Sequence, residues 1–551
     1  FAFEPATTAF NFKQFRNRLL YSFDKAYEFT TLGQQPEGFF AYPNGVVLGS
    51  EFREVNEYGI VQVKDQNLKK GKEKIDLFYS PSCSKVNLNG REDDDIHEGV
   101  RSFMYKESEI TLNQWMDLMV KVYGKKAYTG IAFVFASVFR DVLVDQYGFF
   151  PHLFLTGQKQ SGKTLFSESL TNFFTPGQKG FDLNSGSIVG FFRRVSRISN
   201  IILSLEEYHD SNIHEIKFQV LKQAYDDRAR ETGVASGDKK TKLDRIKSAC
   251  IILSQYMSVR DDNSLSSRSL TLHFIEKTYG LDAKLLLSTL KEHERKGVNS
   301  LIIELLKFRD LIKTDLTPTI NNLNKELIKQ FGKDEYMERM LNNFIAVMAP
   351  VKILFKKFSF PFTWKEFYEY CVDAIAESST MISETEGTAK FWQTLSFLLD
   401  TKIIKEGVDF IIQPKTSVKF YKGKKGGAAQ YEEWTNKDGD DLLFIKLGKV
   451  HQHYVEAVSK RQNQDPIGES TLKGYFKSKP YFLGSVKGIQ FKTGSTSAYV
   501  FNYKMMKELN VVELERDYSA DNEPPVPTQP FNEPKDHKEF KDQVDLDLPF
   551  E

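Results

Sequence analysis

Apolar positions along the chain change their spacing several times, and each change marks a change of element. Between about Gly38 and Ser80 short β-type runs alternate with turns: GFFAY, then Pro43, Asn44 and Gly45, then VVLGS, and later YGIVQV and IDLFYS. An Asn-Gly pair between apolar runs is a strong hairpin signal, so the stretch predicts a small β unit turning at Asn44-Gly45. Leu112, Trp115, Met116, Met119, Val122 and Tyr123 then recur at helical spacing, and a second run carries Phe133, Phe135 and Phe139, which predicts two helices. Buried-strand runs follow at His152–Thr156, Ile201–Leu205 and in SACIILSQ. From about Ile275 helical spacing returns in LDAKLLLSTLKEHERK, SLIIELLKFRDLI and EYMERMLNNFIAVMAPVKILF, predicting a helical bundle. After about Lys390, Val450, Tyr454, Ala457 and Val458 form one helical stripe. Ser470 is the expected N-cap of a second helix carrying Leu472, Tyr475 and Phe476, and YFLGSVKGIQF reads as a hairpin turning at Lys487 and Gly488. Helix, helix, wing is the order of a winged-helix module.

Composition narrows the class. With 551 residues, 40% of them hydrophobic and 27% charged, the chain has the make-up of a multidomain globular protein able to bury a large core. Cys83, Cys250 and Cys371 lie far apart and are odd in number, which fits neither a disulfide framework nor a zinc knuckle and points to a reducing cytoplasm. The longest apolar stretch, Ile131 to Val138, is far short of the roughly 20 residues that a membrane span requires. Nothing has the pattern of a signal peptide. A start at Phe1 is expected of a piece of a longer protein.

The net charge of +1 hides an asymmetry: residues 517–551 hold ten Asp or Glu and three Lys, a balance of −7, which leaves +8 on the rest. That tail, with NEPPVPTQPFNEP, is expected to be disordered. The basic clusters NLKKGKEK, GDKKTKLDRIK and KFYKGKKGG have the charge to neutralise nucleic-acid phosphates.

The chemistry concentrates after His152. Gly157, Gln158, Lys159, Gln160, Ser161, Gly162, Lys163 and Thr164 satisfy the phosphate-loop template G-x-x-x-x-G-K-[ST] in full. Glycines let successive N–H groups curl around an anion, the following helix points its positive end at the same place, Lys163 reaches the β- and γ-phosphates, and Thr164 offers a hydroxyl to Mg2+. ATP and Mg2+ are the expected ligands. Hydrolysis also needs a carboxylate for the metal and a group to orient water, both expected at the end of a neighbouring strand. In SNIILSLEEYHD, Glu206 is assigned to the metal and Glu207 to polarising the attacking water. A third strand ends in Ser254 and Gln255, either of which could hydrogen-bond the γ-phosphate or the water. Arg268, before a further alternating strand, is expected to reach a nucleotide in an adjacent subunit, with Arg260 as competitor.

This order, phosphate loop, strand ending in two glutamates, polar-ended strand and arginine, resembles the core of superfamily 3 helicases, a branch of the AAA+ ATPases. GFFAYPNGVV, FPHLFLTGQKQSGKT, LEEYHD and SSRSLTLHF look more narrowly like the helicase part of primase-helicases carried by bacteriophages and mobile elements, particularly of Bacteroidetes. The resemblance spans roughly Gly38 to Phe274. It implies a ring, usually hexameric, that threads single-stranded DNA and hydrolyses ATP between subunits, in a bacterial host cytoplasm. It also implies a basic hairpin before the third strand, which makes Lys239, Lys240 and Lys242 candidate pore contacts, while Lys473, Lys477 and Lys487 are the candidates on the winged-helix module. Superfamily 3 proteins generally carry asparagine where this chain has Ser254 and Gln255. The closing DQVDLDLPFE resembles the acidic tip of bacterial single-stranded-DNA-binding proteins, which docks on replication partners.

The expected architecture is therefore multidomain α/β: residues 1–100 a helix and small β unit, 101–276 a P-loop ATPase core with its preceding helices, 277–390 a helical bundle, 391–515 a winged-helix-like module, and 516–551 an acidic tail. An ATP-dependent helicase acting on single-stranded and forked DNA is the leading functional expectation. A non-unwinding AAA+ initiator or loader and a non-enzymatic DNA-binding scaffold are the rivals.

Overall fold

The computed structural model describes residues 8–22, 26–63, 77–88, 97–210, 212–228, 230–233, 241–258, 264–274, 281–331, 338–425, 428–436, 439–461, 466–477, 479–508, 511–512 and 514; within these, 230–233, 241–244, 281–282, 383–386, 421–425, 428–431 and 460–461 are described by backbone alone. After the helix Ala9–Ser22, seven short strands form the β unit: β1 (Tyr27–Glu28), β2 (Leu32–Gln34), β3 (Phe40–Tyr42), β4 (Gly45–Leu48), β5 (Glu51–Glu54), β6 (Ile60–Gln62) and β7 (Leu77–Tyr79). They make two sheets, β1-β7-β6 and β2-β3-β4-β5.

The predicted hairpin exists but turns one residue earlier. Tyr42 faces Gly45 across the β3–β4 pair, so Pro43 and Asn44 make the turn. Asn44 is held there by tertiary bonds: its Oδ1 accepts from Tyr105 N at 2.8 Å and its Nδ2 donates to Tyr105 O at 3.1 Å. Gly45 is a strand residue whose lack of a side chain matters for packing, since a Cβ there would lie 2.3 Å from Arg53 O.

Three helices, not two, lead to the phosphate loop: Leu112–Tyr123, Lys126–Val138 and Arg140–Tyr147. Thr111 and Gln114 form a capping box at the start of the first, and Gly124 ends it with φ 63°. The second is buried from Ala127 to Val138. It is bent by 80° from the third, and among the described residues no single helix is long and apolar enough to cross a membrane. Arg140 at the bend is buried, paired with Asp227 at 3.3 Å and donating to Ile246 O at 2.9 Å.

Behind them lies a parallel sheet. Its strands are β8 (His152–Gly157), β9 (Phe181–Asp182), β11 (Ile202–Tyr208), β14 (Ala249–Ser254) and β15 (Ser269–Phe274), in the order β15-β8-β14-β11-β9. β8 and β14 are buried at every position, as expected of strands covered on both faces. β10 (Ile198–Ser199) leaves this layer to pair in parallel with β2, tying the β unit to the core. Gly33 permits the approach, because a Cβ there would meet Ser199 O at 2.0 Å. β12 (Arg230–Gly233) and β13 (Thr241–Asp244) form an antiparallel hairpin between β11 and β14.

The helices Leu281–Lys296, Arg309–Phe331, Glu338–Leu354 and Trp364–Asp400 share one apolar core with the sheet and the inner face of the β unit, running from Leu32 to Ile382. The C-terminal region builds a second core from residues such as Leu442, Phe444, Val486 and Val500. Its strands are β16 (Phe410–Pro414), β17 (Ser417–Lys425), β18 (Ala428–Thr435), β19 (Asp441–Ile445), β20 (Phe482–Phe491) and β21 (Gly494–Asn502), with the helices Leu447–Arg461 and Glu469–Lys477 between β19 and β20. Two expectations change here. The second helix starts at Glu469, which puts Ser470 inside its first turn. The hairpin turns at Lys492-Thr493, because Phe491 faces Gly494, while Lys487 and Gly488 form a bulge between Val486 and Ile489. Gly488, with φ 76°, serves a bulge as readily as a turn, and buried Ile489 and Phe491 keep the strand running past it.

Candidate functional site

β8 delivers Gly157 to the C-terminal end of the sheet, where it packs against β15. Gly157 has φ 141°, and a Cβ on it would lie 2.1 Å from Phe274 O, so only glycine fits. Gln160 and Gly162 follow with φ 63° and 92°, and the helix Lys163–Asn172 begins immediately afterwards. A loop in these conformations with a helix N-terminus behind it has the backbone geometry of an anion-binding nest. The ammonium of Lys163 folds over the loop, donating to Gly157 O, to Gln158 O at 2.7 Å and to Ser161 Oγ at 3.3 Å. Burial lowers its pKa and the charge of Glu207 works against that shift. Thr164 is exposed in the first helical turn.

The strand carrying the glutamates is not the immediate neighbour of β8. β14 lies between β8 and β11, because it pairs with both. Two strand spacings therefore separate Gly157 from the glutamates, roughly 10 Å. A register shift between Leu205 and Tyr208 makes Glu206-Glu207 a bulge at the end of β11. Glu207 sits at φ 55°, a left-handed conformation that costs a non-glycine residue on the order of 1 kcal/mol and gathers at functional sites. Asn184 Nδ2 donates to Glu207 O at 2.7 Å and holds the bulge. Glu206 leans towards Gly180, where a Cβ would lie 2.1 Å from its Oε1. Burial raises the pKa of Glu206, and the charges of Glu168, Glu207 and Asp182 add to the rise.

β14 ends in the gap between loop and glutamates. The hydroxyl of Ser254 is turned into the sheet, donating to Tyr208 O at 3.1 Å and accepting from Tyr256 N at 3.2 Å. The Gln255 side chain is exposed, and its carbonyl accepts from Gly157 N at 3.2 Å. Gly157, Lys159–Thr164, Glu206, Glu207, Ser254 and Gln255 all line one cavity of about 880 Å3. Its far wall comes from Val122, Tyr123, Leu165, Ala283, Lys284 and Leu287. The Tyr123 hydroxyl donates to Leu165 O at 3.0 Å, which fixes its ring against that wall. Lys291 joins the helix Leu281–Lys296 to the loop helix by donating to Leu165 O at 3.2 Å and pairing with Glu168 at 3.3 Å.

Asn184 and the apolar wall were not among the sequence candidates. A lone Asn in a polar turn carries no local signal, and Tyr123 and Leu287 sit in stripes that also read as ordinary core positions. The glycines, the volume and the loop conformation fit a nucleotide triphosphate. Among the described residues no group of three or more His, Cys, Asp or Glu is placed to hold a metal by itself. The crowd of carboxylates around Glu206 and the exposed Thr164 hydroxyl fit a cation that arrives with phosphate oxygens completing its shell.

Arg268 lies elsewhere. It precedes β15, whose first residue faces His152 at the opposite end of β8 from the loop. Its Nη1 donates to Ser264 O at 2.7 Å, its guanidinium lies 5.7 Å from the Tyr225 ring centre, and its Nε is buried with no partner among the described residues. Burial, then Arg339 and Arg228, lower its pKa against the opposing Asp226. Arg260, Lys239 and Lys240 fall outside the described residues, and Lys242 is placed on β13 by its backbone alone. Lys473 is paired with Glu469 at 2.6 Å and lies over the Tyr499 ring, whereas Lys477 and Lys487 are exposed. The acidic tail from residue 515 onward also lies outside the described residues.

No known family matches the sequence, and no curated protein does. Solved structures show distant likeness. One described as "SCCmec type IV Cch - active helicase" is 13% identical, over 91% of this chain and 84% of that one, with a TM-score of 0.48. "The X-ray structure of JCV Helicase" is 16% identical over 44% and 67% of the two chains at a TM-score of 0.24. "The apo structure of NrS-1 C terminal region (305-718)" is 14% identical over 46% and 68% at 0.21. Likenesses this remote carry no argument, so function is argued from the site.

Proposed function

We propose that this chain is the ATP-hydrolysing motor of a DNA helicase that works as a ring. The observation that carries the reading is the single cavity that collects the phosphate loop, both glutamates of the β11 bulge and Gln255. In this reading the loop amides and Lys163 hold the β- and γ-phosphates, and the base lies against Val122, Tyr123 and Leu287. Mg2+, held through Thr164 and Glu206, supplies charge neutralisation on the phosphate oxygens. Glu207 accepts the proton of the attacking water, and Gln255, in the gap left by β14, aligns that water or the γ-phosphate. Arg268 serves the nucleotide of a neighbouring subunit, since its own loop is at the other end of the sheet.

DNA contact is assigned to the β12–β13 hairpin with Lys239, Lys240 and Lys242, and to the C-terminal helices and β20–β21 hairpin used as a winged helix through Lys477 and Lys487. The test is a paired assay on the purified chain: DNA-stimulated ATP hydrolysis, then strand displacement on a forked duplex. Hydrolysis with displacement supports the motor, hydrolysis without displacement indicates a loader or initiator, and failure to bind ATP with Mg2+ leaves a scaffold.

A further inference from the structure

Both glutamates of the β11 bulge are gripped through their main chain by one turn. Leu183 N donates to Glu206 O at 3.0 Å, and Asn184 Nδ2 donates to Glu207 O at 2.7 Å. The turn follows β9 and is closed by Asp182. Its Oδ1 accepts from Asn184 N at 2.7 Å and Ser185 N at 3.0 Å, and its Oδ2 accepts from the Ser185 hydroxyl at 2.6 Å. These last bonds fix the shape of the turn but tie it to nothing beyond itself. A left-handed residue such as Glu207, with φ 55°, persists where its surroundings over-determine it, so the turn needs a firm footing.

Lys217 supplies that footing. It lies on the helix Glu215–Tyr225 and is 2% exposed. Its ammonium donates to Leu183 O at 2.6 Å and to Gly186 O, with the Phe181 ring centre 5.7 Å away. Burial lowers its pKa and the charge of Asp182 opposes that shift. A lysine this buried is rare, and its charge is tolerated where hydrogen bonds replace water. The helix beneath it is anchored to the sheet further along: Leu221 O is hydrogen-bonded to His152 Nε2 at 2.8 Å, and Tyr225 O accepts from Phe150 N at 2.9 Å. Contacts therefore run from the sheet along a rigid helix to the ammonium, then to the turn and the two glutamates. Lys217 itself does not line the cavity.

We infer that Lys217 is a positioning residue for Glu207: by holding the turn through the carbonyls of Leu183 and Gly186, it keeps Asn184 on Glu207 O and the Glu207 carboxylate in one place in the cavity. The inference rests on the proposed role of Glu207 in hydrolysis.

Steady-state ATP hydrolysis by the full chain tests it, alongside equilibrium binding of a fluorescent ATP analogue and thermal melting. Lys217→Met keeps the bulk of the side chain and removes its donors. It is expected to lower kcat about thirtyfold and leave KM and analogue affinity within about twofold, since a displaced catalytic group costs turnover and not binding. Asn184→Ala breaks the same chain of contacts at an exposed residue, so it should give the same kcat loss within about threefold at an unchanged melting temperature. In a Glu207→Gln background, Lys217→Met should add less than about a twofold loss, because both changes act on one group. A lysine with a merely structural role would lower the melting temperature and leave kcat unchanged below it. That outcome, normal kcat in Asn184→Ala, or a full additional loss in the Glu207→Gln background overturns the proposal. Should Lys217→Met fail to fold, Asn184→Ala alone and in the Glu207→Gln background decides by the same readings. Wild-type chain that does not hydrolyse ATP removes the motor reading and this inference together, whereas an active wild type with equally active variants removes this inference alone.

Discussion

The two ends of the parallel sheet are built by the same strands and carry different chemistry. At the C-terminal end Gly157, Glu207 and Gln255 open into one cavity of about 880 Å3. At the N-terminal end His152 is buried and Arg268 packs on Tyr225, with Arg228 and Arg339 near enough to lower its pKa. The six residues of β8 hold these ends about 20 Å apart. Groups at the lower end therefore do not serve the loop of their own chain. Either they complete a neighbour's site or they only stabilise the sheet, and the measurements below distinguish these.

The largest effect is expected from Arg268→Ala. If the lower end completes a neighbouring site, the assembly-stimulated hydrolysis rate falls by about a thousandfold while ATP affinity is kept. Copies carrying Arg268→Ala mixed with copies carrying Lys163→Ala should recover activity, because an intact loop then meets an intact arginine at some interfaces. A variant that only melts at lower temperature, with normal turnover, reduces the lower end to a structural role.

Lys163→Ala and Glu207→Gln test the upper end, each expected to lower turnover by roughly two to three orders of magnitude. They should separate in binding: Lys163→Ala weakens ATP affinity as well, whereas Glu207→Gln retains it, since Glu207 acts on water. Equilibrium binding of a fluorescent ATP analogue beside steady-state kinetics makes the distinction. Near-normal turnover in either variant removes that residue from the reaction.

The lower end also has its own pH signature. Burial pushes the pKa of His152 down to about 4, helped by the charges of Arg140 and Arg268 and opposed by the hydrogen bond from its Nε2 to Leu221 O at 2.8 Å. Between the ordinary value of about 6.5 and 4 the unfolded chain binds a proton that the folded chain refuses. Stability is therefore fully present above about pH 6.5 and declines as pH falls towards 4, by about 3 kcal/mol in total. Urea midpoints from pH 7.5 to 4.5 should show this slope, and His152→Gln should flatten it while leaving hydrolysis at pH 7.5 within about twofold. Turnover lost with the histidine would break the division of labour between the ends.

How much of this was legible differs between the two ends for physical reasons. The phosphate loop was readable because Gly157 and Gly162 occupy backbone conformations, and in the first case a space, that other residues tolerate poorly. The strand order was not: parallel strands buried on both faces are all apolar runs, and nothing local says that β14 inserts between β8 and β11. Turn positions failed where a glycine had two uses, with Gly45 a close-packed strand residue and Gly488 a bulge. The wall of Val122, Tyr123 and Leu287 joins segments some 160 residues apart whose helical stripes carry no sign of a ligand.

The smallest effect decides between the two polar residues that the sequence offered for one role. Ser254 spends its hydroxyl on Tyr208 O and Tyr256 N, which knit the ends of β11 and β14 together. Ser254→Ala should therefore cost about 1 kcal/mol of stability and leave turnover nearly intact. Gln255 lies exposed in the cavity with its side chain in the gap between loop and glutamates, so Gln255→Ala should lower kcat about tenfold with little change in melting temperature. Gln255→Asn is the more telling variant, because it keeps the amide and changes only its reach. Its amide is one methylene shorter, and the roughly 10 Å gap set by two strand spacings leaves that length at a premium. Partial retention, above Ala and below wild type, is expected from kcat at saturating ATP. A reversed pattern, with Ser254→Ala the slower enzyme at unchanged stability, would move the role to the serine and require its hydroxyl to leave the sheet during turnover.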